Sequence, residues 1–520
     1  MFGKHMRAVL LEVHTWTGLV LGSVLYVMLL FGAVALYREE LGRWEDPAQH
    51  VVGPAGSDAE ALAALDRFVP RSVPRLYVER PHDGVPVHFV WHPVQGRETW
   101  RPLVVDAARG AVRSSSVHAS RFLFNVHFLW HETTPLLYYV AGLVSVGFLL
   151  AIVTGVVFHL KLLFPQLGLY RPGTTPRVAM TDLHKVLGVF GIPFQLVFAV
   201  TGAFIVLGPV LVGSYVGPVF GGDRERAERM VWGEPAPIEP TVTVEGDLDD
   251  RIAFAERRYP GLEVESFSIT DRGTRNEALE LEGRRPGRFA GEVSLVFRGL
   301  GMPLHAVAEP ANEPASAAVT RWVFGLHYAR FGGPLLRVFY ALLALAAAAT
   351  VLTGNLIWIA RNDAASTRLL RASTEATGAG AVLAAAMILL ASRWLPHAMD
   401  SRDVALDLTF LATFAAVHVD AWFARSTRTA LVRHLALIGI AFLLFPIATA
   451  SMGSRGLFAI FAGSASSGAS VVGVDAFGLV VGVVALVLAA VLRVRPRASD
   501  ATGVEADDAV PTGDSEPNHA

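Results

Sequence analysis

The sequence predicts an all-α integral membrane protein with about eight transmembrane helices, an internal parallel repeat in the first four, and two small external α+β modules. The membrane class follows from composition, because the 520-residue chain is 52% hydrophobic and only 17% charged. Eight apolar stretches approach the ~20 residues that a helix needs to cross a bilayer. The net charge of −2 gives no indication of a nucleic-acid partner.

The eight predicted spans cover residues 14–37, 136–163, 184–212, 334–360, 378–395, 404–424, 431–452 and 471–492. Two long polar segments lie between them. Lys and Arg are concentrated in one set of loops, whereas the short loops of the other side hold only Arg402 and Arg455. The positive-inside rule therefore predicts a multi-pass protein of a bacterial inner membrane with both termini in the cytoplasm. Segments 38–135 and 213–333 are then outside.

Residues 1–360 have the pattern of a duplicated unit. Each copy begins with a histidine followed four residues later by a glycine, and its second span is preceded by a histidine and contains a Thr-Gly pair. The matching residues are His14 and His184, Gly18 and Gly188, His127 and His327, and Thr154-Gly155 and Thr353-Gly354. Both copies start on the same side, so the repeat is parallel.

Each copy also carries a polar insertion with one amphipathic helix and three alternating strands. The first has a predicted helix at 59–68 and strands at 75–79, 85–91 and 99–105; the second has a helix at 248–259 and strands at 262–269, 278–282 and 292–297. The predicted order is helix 1–37, module 38–135, two helices 136–212, module 213–333, helix 334–360, a four-helix membrane extension 361–497 and a disordered tail 498–520.

Five histidines at the ends of spans are the candidate cofactor-binding residues. His14, His159 and His184 lie near the predicted cytoplasmic face, and His127 and His327 lie near the outer face. Ionisable residues in a membrane are functional candidates by default, and imidazoles from facing helices can hold a haem iron between them. The repeat predicts two pairs of ligands to haem iron, His14 with His184 and His127 with His327. The chain has no cysteine for thiolate ligation.

Other interpretations stay open at several positions. A histidine at a helix end is otherwise an interfacial polar residue or a cap. His159, whose repeat partner is Trp358, is either a residue that contacts an iron ligand without binding the iron or an alternative ligand. His131 is similarly ambiguous. His418 in the sixth span is interpreted as structural. No glycine-rich motif for NAD or FAD is recognisable, so electrons would come from a separate cytoplasmic reductase or a membrane quinol.

At these residues the chain resembles the PepSY-associated transmembrane-helix family, which includes inner-membrane ferrisiderophore reductases of the FoxB type and PiuB-like iron-uptake proteins. The resemblance covers about residues 1–361 and rests on His14-x-x-x-Gly18, Asn125-Val-His127, His184-x-x-x-Gly188, Leu326-His327 and the two Thr-Gly pairs. It implies histidine-bound b-type haems, PepSY-like external modules and reduction of ferric chelates in the periplasm. The four C-terminal spans lie outside it.

The leading functional hypothesis is a di-haem b electron-transfer protein, a ferric-chelate reductase that delivers electrons to a ferric siderophore outside for iron acquisition. One alternative is a repeat-built transporter, and another is a non-catalytic PepSY membrane regulator or sensor. The histidines favour the first, because they lie at the faces of the membrane rather than at its midplane.

Overall fold

The computed structural model describes residues 3–82, 85–93, 100–131, 133–159, 170–171, 175–232, 236–237, 246–272, 274, 276–287, 291–298, 302–307, 315–362, 365–462 and 468–494. The predicted disordered tail, 498–520, lies outside these residues. The helices are α1 (Lys4–Ala35), α2 (Arg38–Glu45), α3 (Asp58–Leu65), α4 (Ala119–His127), α5 (Leu136–His159), α6 (Pro176–Phe220), α7 (Arg224–Trp232), α8 (Leu248–Arg258), α9 (Ala315–Tyr328), α10 (Pro334–Ile359), α11 (Arg368–Trp394), α12 (Arg402–Phe423), α13 (Thr427–Leu443), α14 (Phe445–Ser451), α15 (Leu457–Phe461) and α16 (Ala469–Val494). The strands are β1 (Arg75–Glu79), β2 (His88–Pro93), β3 (Trp100–Asp106), β4 (Ala111–Ser114), β5 (Ala236–Pro237), β6 (Glu263–Thr270), β7 (Ala278–Arg284), β8 (Glu292–Arg298) and β9 (Met302–Val307).

Eight segments of the described chain are helical, long and apolar enough to cross a membrane, which confirms the predicted number. The third is longer than predicted, because α6 has 45 residues and extends ~68 Å at 1.5 Å per residue. The seventh is interrupted at Leu444, between α13 and α14. Pro446 in the first turn of α14 lacks the N–H that would continue the helical hydrogen bonding.

Four of these helices form a ring. Helix α1 packs against α5 and α10, and α6 packs against the same two neighbours. Helices α1 and α6 therefore lie opposite each other, with their histidine-bearing faces toward the centre. This arrangement positions the candidate ligands.

The C-terminal helices are packed onto this ring as part of the same structure. Helix α11 contacts α1 and α10 and is surrounded further by α12 and α13, and one hydrophobic cluster runs through all of them. Trp44 at the end of α2 is fully buried, stacks on Phe445 with ring centroids 4.9 Å apart, and donates to the carboxylate of Asp475 at 2.9 Å. The extension thus holds the segment that leaves the first membrane helix.

The two external modules share one sheet. Its nine strands have the order β4-β3-β2-β1-β6-β7-β8-β9-β5, and β1 pairs antiparallel with β6 in a register that places Tyr77 opposite Ser268. The sequence predicted two modules, one per repeat, and gave no indication of β4, β5 or β9. The central strands are covered on one face, where Leu76, Val78 and Phe267 are fully buried. Helices α3 and α8 pack together beside this core.

Candidate functional site

The first candidate pair, His14 on α1 and His184 on α6, meets inside the ring of four helices. The ring centroids lie 6.1 Å apart and the ring planes are inclined by 78°. Nδ1 of His14 lies 2.8 Å from the carbonyl oxygen of Ala151, and Nδ1 of His184 lies 2.9 Å from that of Thr350. Because a carbonyl oxygen only accepts, each Nδ1 donates a proton, and the lone pair of each Nε2 is free for a metal.

The second pair, His127 on α4 and His327 on α9, has nearly the same separation. The centroids lie 6.0 Å apart with an interplanar angle of 32°. Nδ1 of His127 donates to the carbonyl oxygen of Met28 at 2.7 Å. Nδ1 of His327 lies 2.8 Å from the hydroxyl oxygen of Thr201, which itself donates to the carbonyl oxygen of Val197. The threonine oxygen therefore accepts from Nδ1, and Nε2 is again left free.

The short helices that carry the second pair end in the same unusual way. Leu129 follows His127 by two residues and has φ 58°, and Ala329 follows His327 by two residues and has φ 53°. Left-handed backbone at a residue other than glycine is unfavourable by roughly 1–2 kcal/mol and is held only where the surrounding structure imposes it. The chain stores this strain directly beside the second pair in both halves. From the predicted topology we name His127 and His327 the outer pair, and His14 and His184 the inner pair.

Each of the four histidine rings lies against a helical glycine. A Cβ built on the glycine would lie 2.9 Å from ring carbon Cε1 for Gly32 with His127, 2.9 Å for Gly155 with His14, 3.2 Å for Gly354 with His184, and 3.7 Å for Gly202 with His327. Real Cβ contacts below 3.0 Å essentially do not occur. Glycine at the two closest positions is therefore required for the observed ring positions.

The two pairs lie at different levels of the membrane. Helix α1 contains His14 and contacts His127 through Met28 and Gly32, 14 to 18 residues further along. At 1.5 Å per residue this separation is roughly 21–27 Å. Helix α6 gives the same result independently, because Gly202 beside the outer pair lies 18 residues from His184.

Both pairs fit the axial ligation of a haem. Two imidazoles that bind one iron from opposite sides, each at ~2 Å, have ring centroids roughly 6 Å apart. Within the described residues, Nδ1 of all four rings is hydrogen-bonded and no hydrogen bond reaches any of the four Nε2 atoms. The glycine beside each ring accommodates the imidazole in this position. Ligand identity, ring separation and tautomer are thus compatible with two haems.

The other predicted histidines have different surroundings. His159 ends α5, where its ring contacts Phe158 and interacts electrostatically with both His14 and His184, so that it lies near the first pair. Nδ1 of His131 is hydrogen-bonded to the Thr133 hydroxyl at 2.8 Å. His418 bonds the carbonyl oxygen of Phe414 in its own helix at 2.8 Å.

One polar cluster in the extension was missed by the sequence analysis. His434 is buried, with Nδ1 2.6 Å from a carboxylate oxygen of Glu375 and Nε2 3.0 Å from Asp420. The sequence did contain a signal for this contact. Glu375 in α11 and His434 in α13 each lie seven residues after the start of an apolar helix, which indicates a similar depth. The sequence analysis also assigned no role to Thr201, the partner of His327.

Comparisons with known proteins identify the family of this chain. The family model described as "PepSY-associated TM region" matches residues 11–361, which include α5, α6, α10 and both histidine pairs and exclude α11 to α16. The chain is also similar to an uncharacterized protein of Pseudomonas aeruginosa, with 25% identity over 283 residues, 49% of this chain and 68% of that relative. The chain therefore belongs to the family of proteins with a PepSY-associated transmembrane region.

Proposed function

We propose that this protein is a di-haem b electron-transfer protein that reduces ferric siderophores or other ferric chelates on the periplasmic side, as a FoxB- or PiuB-like ferric-chelate reductase. The observation that carries the proposal is the presence of two histidine pairs, each with ring centroids about 6 Å apart, at two levels. A single site could not carry an electron across the bilayer, whereas two sites at opposite levels can.

The residues have distinct tasks in this proposal. Haem, when bound, supplies a one-electron carrier at each level. His14 and His184 would bind it at the inner level, and His127 and His327 at the outer level. The hydrogen bonds to each Nδ1 fix the tautomer and the ring orientation, which is the usual role of groups behind a metal-bound histidine.

The proposed substrate is the iron of the external chelate. One electron converts Fe(III) to Fe(II), which binds hard oxygen ligands less tightly and is released for import. The donor would be a cytoplasmic reductase or a membrane quinol acting at the inner pair. The inner-membrane location with cytoplasmic termini, inferred from the distribution of Lys and Arg, gives the direction from inside to outside.

The external sheet supports this proposal over a transporter. A transporter built from repeats works by rocking one half against the other. Here β1 of the first half is paired with β6 of the second half from Arg75 to Glu79, so that the two halves are joined outside the membrane. A continuous sheet opposes such rocking and favours a rigid scaffold for fixed redox sites.

Spectroscopy of the purified full-length protein tests the proposal. We expect a red preparation whose reduced spectrum is that of low-spin b-type haem, with two haems per chain. Dithionite-reduced protein should be reoxidised by an external ferric chelate, and NADPH alone should not reduce the haem. A colourless preparation from haem-replete cells would contradict the proposal and leave the sensor or regulator alternative.

A further inference from the structure

A cleft of about 320 Å³ lies on the outer side between α2, α4 and strands β1 and β2. Tyr77, Phe89 and Trp91 form its aromatic wall. Helix α4 connects the cleft to the outer histidine pair, since Arg121 lines the cleft and lies six residues before His127. At 1.5 Å per residue the two positions are roughly 9 Å apart along the helix.

Two arginines in this cleft have no carboxylate bound to them. The guanidinium of Arg38 lies over the ring of Phe124 at 4.9 Å, and that of Arg121 lies over the ring of Trp91 at 5.4 Å. Within the described residues, neither guanidinium has a hydrogen bond or an ion pair, although each could hold an oxyanion through two parallel bonds. Stacking on a ring keeps each guanidinium planar and directed rather than freely mobile.

The charge of the cleft is positive overall. Its lining contains four arginines, two glutamates and one histidine: Arg38, Arg43, Arg80, Arg121, Glu39, Glu79 and His82. Glu39 is already bound by His82 at 3.1 Å and lies 3.7 Å from Arg43. Arg80 is bound by Asp58 at 2.8 Å, and Glu79 interacts electrostatically with Arg38. Among the described residues Arg121 has no acidic partner, and the excess of arginines over glutamates in the lining gives the cleft a net positive charge that concentrates anionic ligands.

We propose that this cleft binds the electron acceptor, and that the acceptor is an anionic ferric chelate whose oxygen donors are carried on aromatic rings, of the catecholate or phenolate class. Arg38 and Arg121 neutralise its charge, and Trp91 and Phe89 stack on its rings. The electron step rests on the proposed function, whereas binding to the cleft does not. Haem held by His127 and His327 would supply the single electron that converts the chelated Fe(III) to Fe(II), and no bond is made.

The state of His82 sets the pH dependence of this binding. The hydrogen bond that His82 donates to the Glu39 carboxylate raises the pKa of His82, and the same bond is the main cause that lowers the pKa of Glu39 to about 2. Other charged groups near the two side chains are Arg38, Arg43 and Glu79. As pH rises through the raised pKa of His82, the cleft loses one positive charge while Glu39 stays ionised. Affinity for an anionic chelate should therefore fall.

Binding can be measured with gallium(III) tris-catecholate, a redox-inert analogue, by calorimetry on the full chain in detergent. We expect Arg38→Gln combined with Arg121→Gln to raise Kd at least tenfold, and affinity of the parent protein to decline above neutral pH. Arg113→Gln, at an exposed arginine of β4, is the matched control and should bind like the parent. If the double variant does not fold, Arg121→Gln alone replaces it and should raise Kd severalfold, whereas Arg121→Lys, which keeps the charge but not the two parallel bonds, should raise Kd less.

A double variant that folds and binds the gallium complex with the parent Kd overturns the proposal. So does equal affinity of the parent for an uncharged gallium trihydroxamate, because the site would then not select by charge. A haem-free protein that still binds the anionic complex through Arg38 and Arg121 would contradict the proposed function while supporting the cleft. A haem-loaded protein that reduces chelates equally well without both arginines would contradict the role of the cleft while supporting the proposed function.

Discussion

The inner and outer histidine pairs have the same spacing but are held by different parts of the molecule. His14 and His184 belong to the long membrane helices themselves, and both rings donate to backbone carbonyl oxygens. His127 and His327 belong to the short helices α4 and α9, and one of the two rings is held by a side-chain hydroxyl. The inner pair is thus fixed by helix packing, whereas the outer pair depends on additional supports.

The supports of the outer pair differ between the two halves. Glu45 caps the start of α4, since its buried carboxylate accepts from the backbone N–H groups of His118, Ala119 and Ser120. Arg402 of the extension donates to the carbonyl oxygen of Ser116 just before that helix at 3.0 Å. Helix α9 packs against α6 and α7. The C-terminal extension therefore stabilises α4, which carries His127 of the outer pair. The inner pair is held by the ring of four helices instead.

The largest expected effect comes from removing one ligand. His127→Ala or His327→Ala should lower the haem content by about half and leave the inner centre intact. His14→Ala or His184→Ala should lower it by the same amount and leave the outer centre intact. The two centres can be told apart by electron paramagnetic resonance, because ring planes at 78° and at 32° split the iron d orbitals differently. Unchanged haem content in any one variant would show that its histidine is not a ligand, with His159 the first alternative to test.

A smaller effect is expected from filling the space beside the rings. Gly32→Ala places a methyl group 2.9 Å from His127, so that the ring must move, and overpacking of this kind is unfavourable by about 1–3 kcal/mol. Gly202→Ala is the matched control in the other half, since its methyl group would lie 3.7 Å from His327. We expect weaker haem retention at the outer level for the first variant than for the second. Equal retention would mean that the glycines do not set the ring positions.

The smallest effect concerns the hydroxyl behind His327. Thr201→Val keeps the shape and removes the acceptor of the Nδ1 proton, which should weaken haem binding roughly tenfold and shift the outer midpoint potential. Thr201→Ser should restore both. Thr353→Val should matter less for the inner centre, because His184 keeps the carbonyl of Thr350 at 2.9 Å while the Thr353 hydroxyl is at 3.3 Å. If Thr201→Val and the parent have the same outer midpoint potential, the hydroxyl of Thr201 does not influence the outer centre through His327.

The sequence predicted what depends on local pattern. Apolar runs located the eight spans. The repeated His-Gly spacing selected His14 and His184, and the matching position before the second span of each copy selected His127 and His327; the structure brings these four rings together in pairs. It did not predict the pairing of β1 with β6, because strand partners distant in sequence leave no periodic signal. The contact of His434 with Glu375 and Asp420 was missed for a related reason, since it depends on how three separate helices pack.

The separation of the two pairs has an electrical consequence. In the proposed function, an electron that passes from the inner to the outer level would cross roughly 21–27 Å of a hydrocarbon layer that is ~30 Å thick. A membrane that is negative inside favours this outward movement of negative charge by up to ~2 kcal/mol for each 100 mV. The outward step would therefore be driven by the membrane potential as well as by the redox difference between donor and acceptor, and each electron delivered outside would partly discharge the membrane.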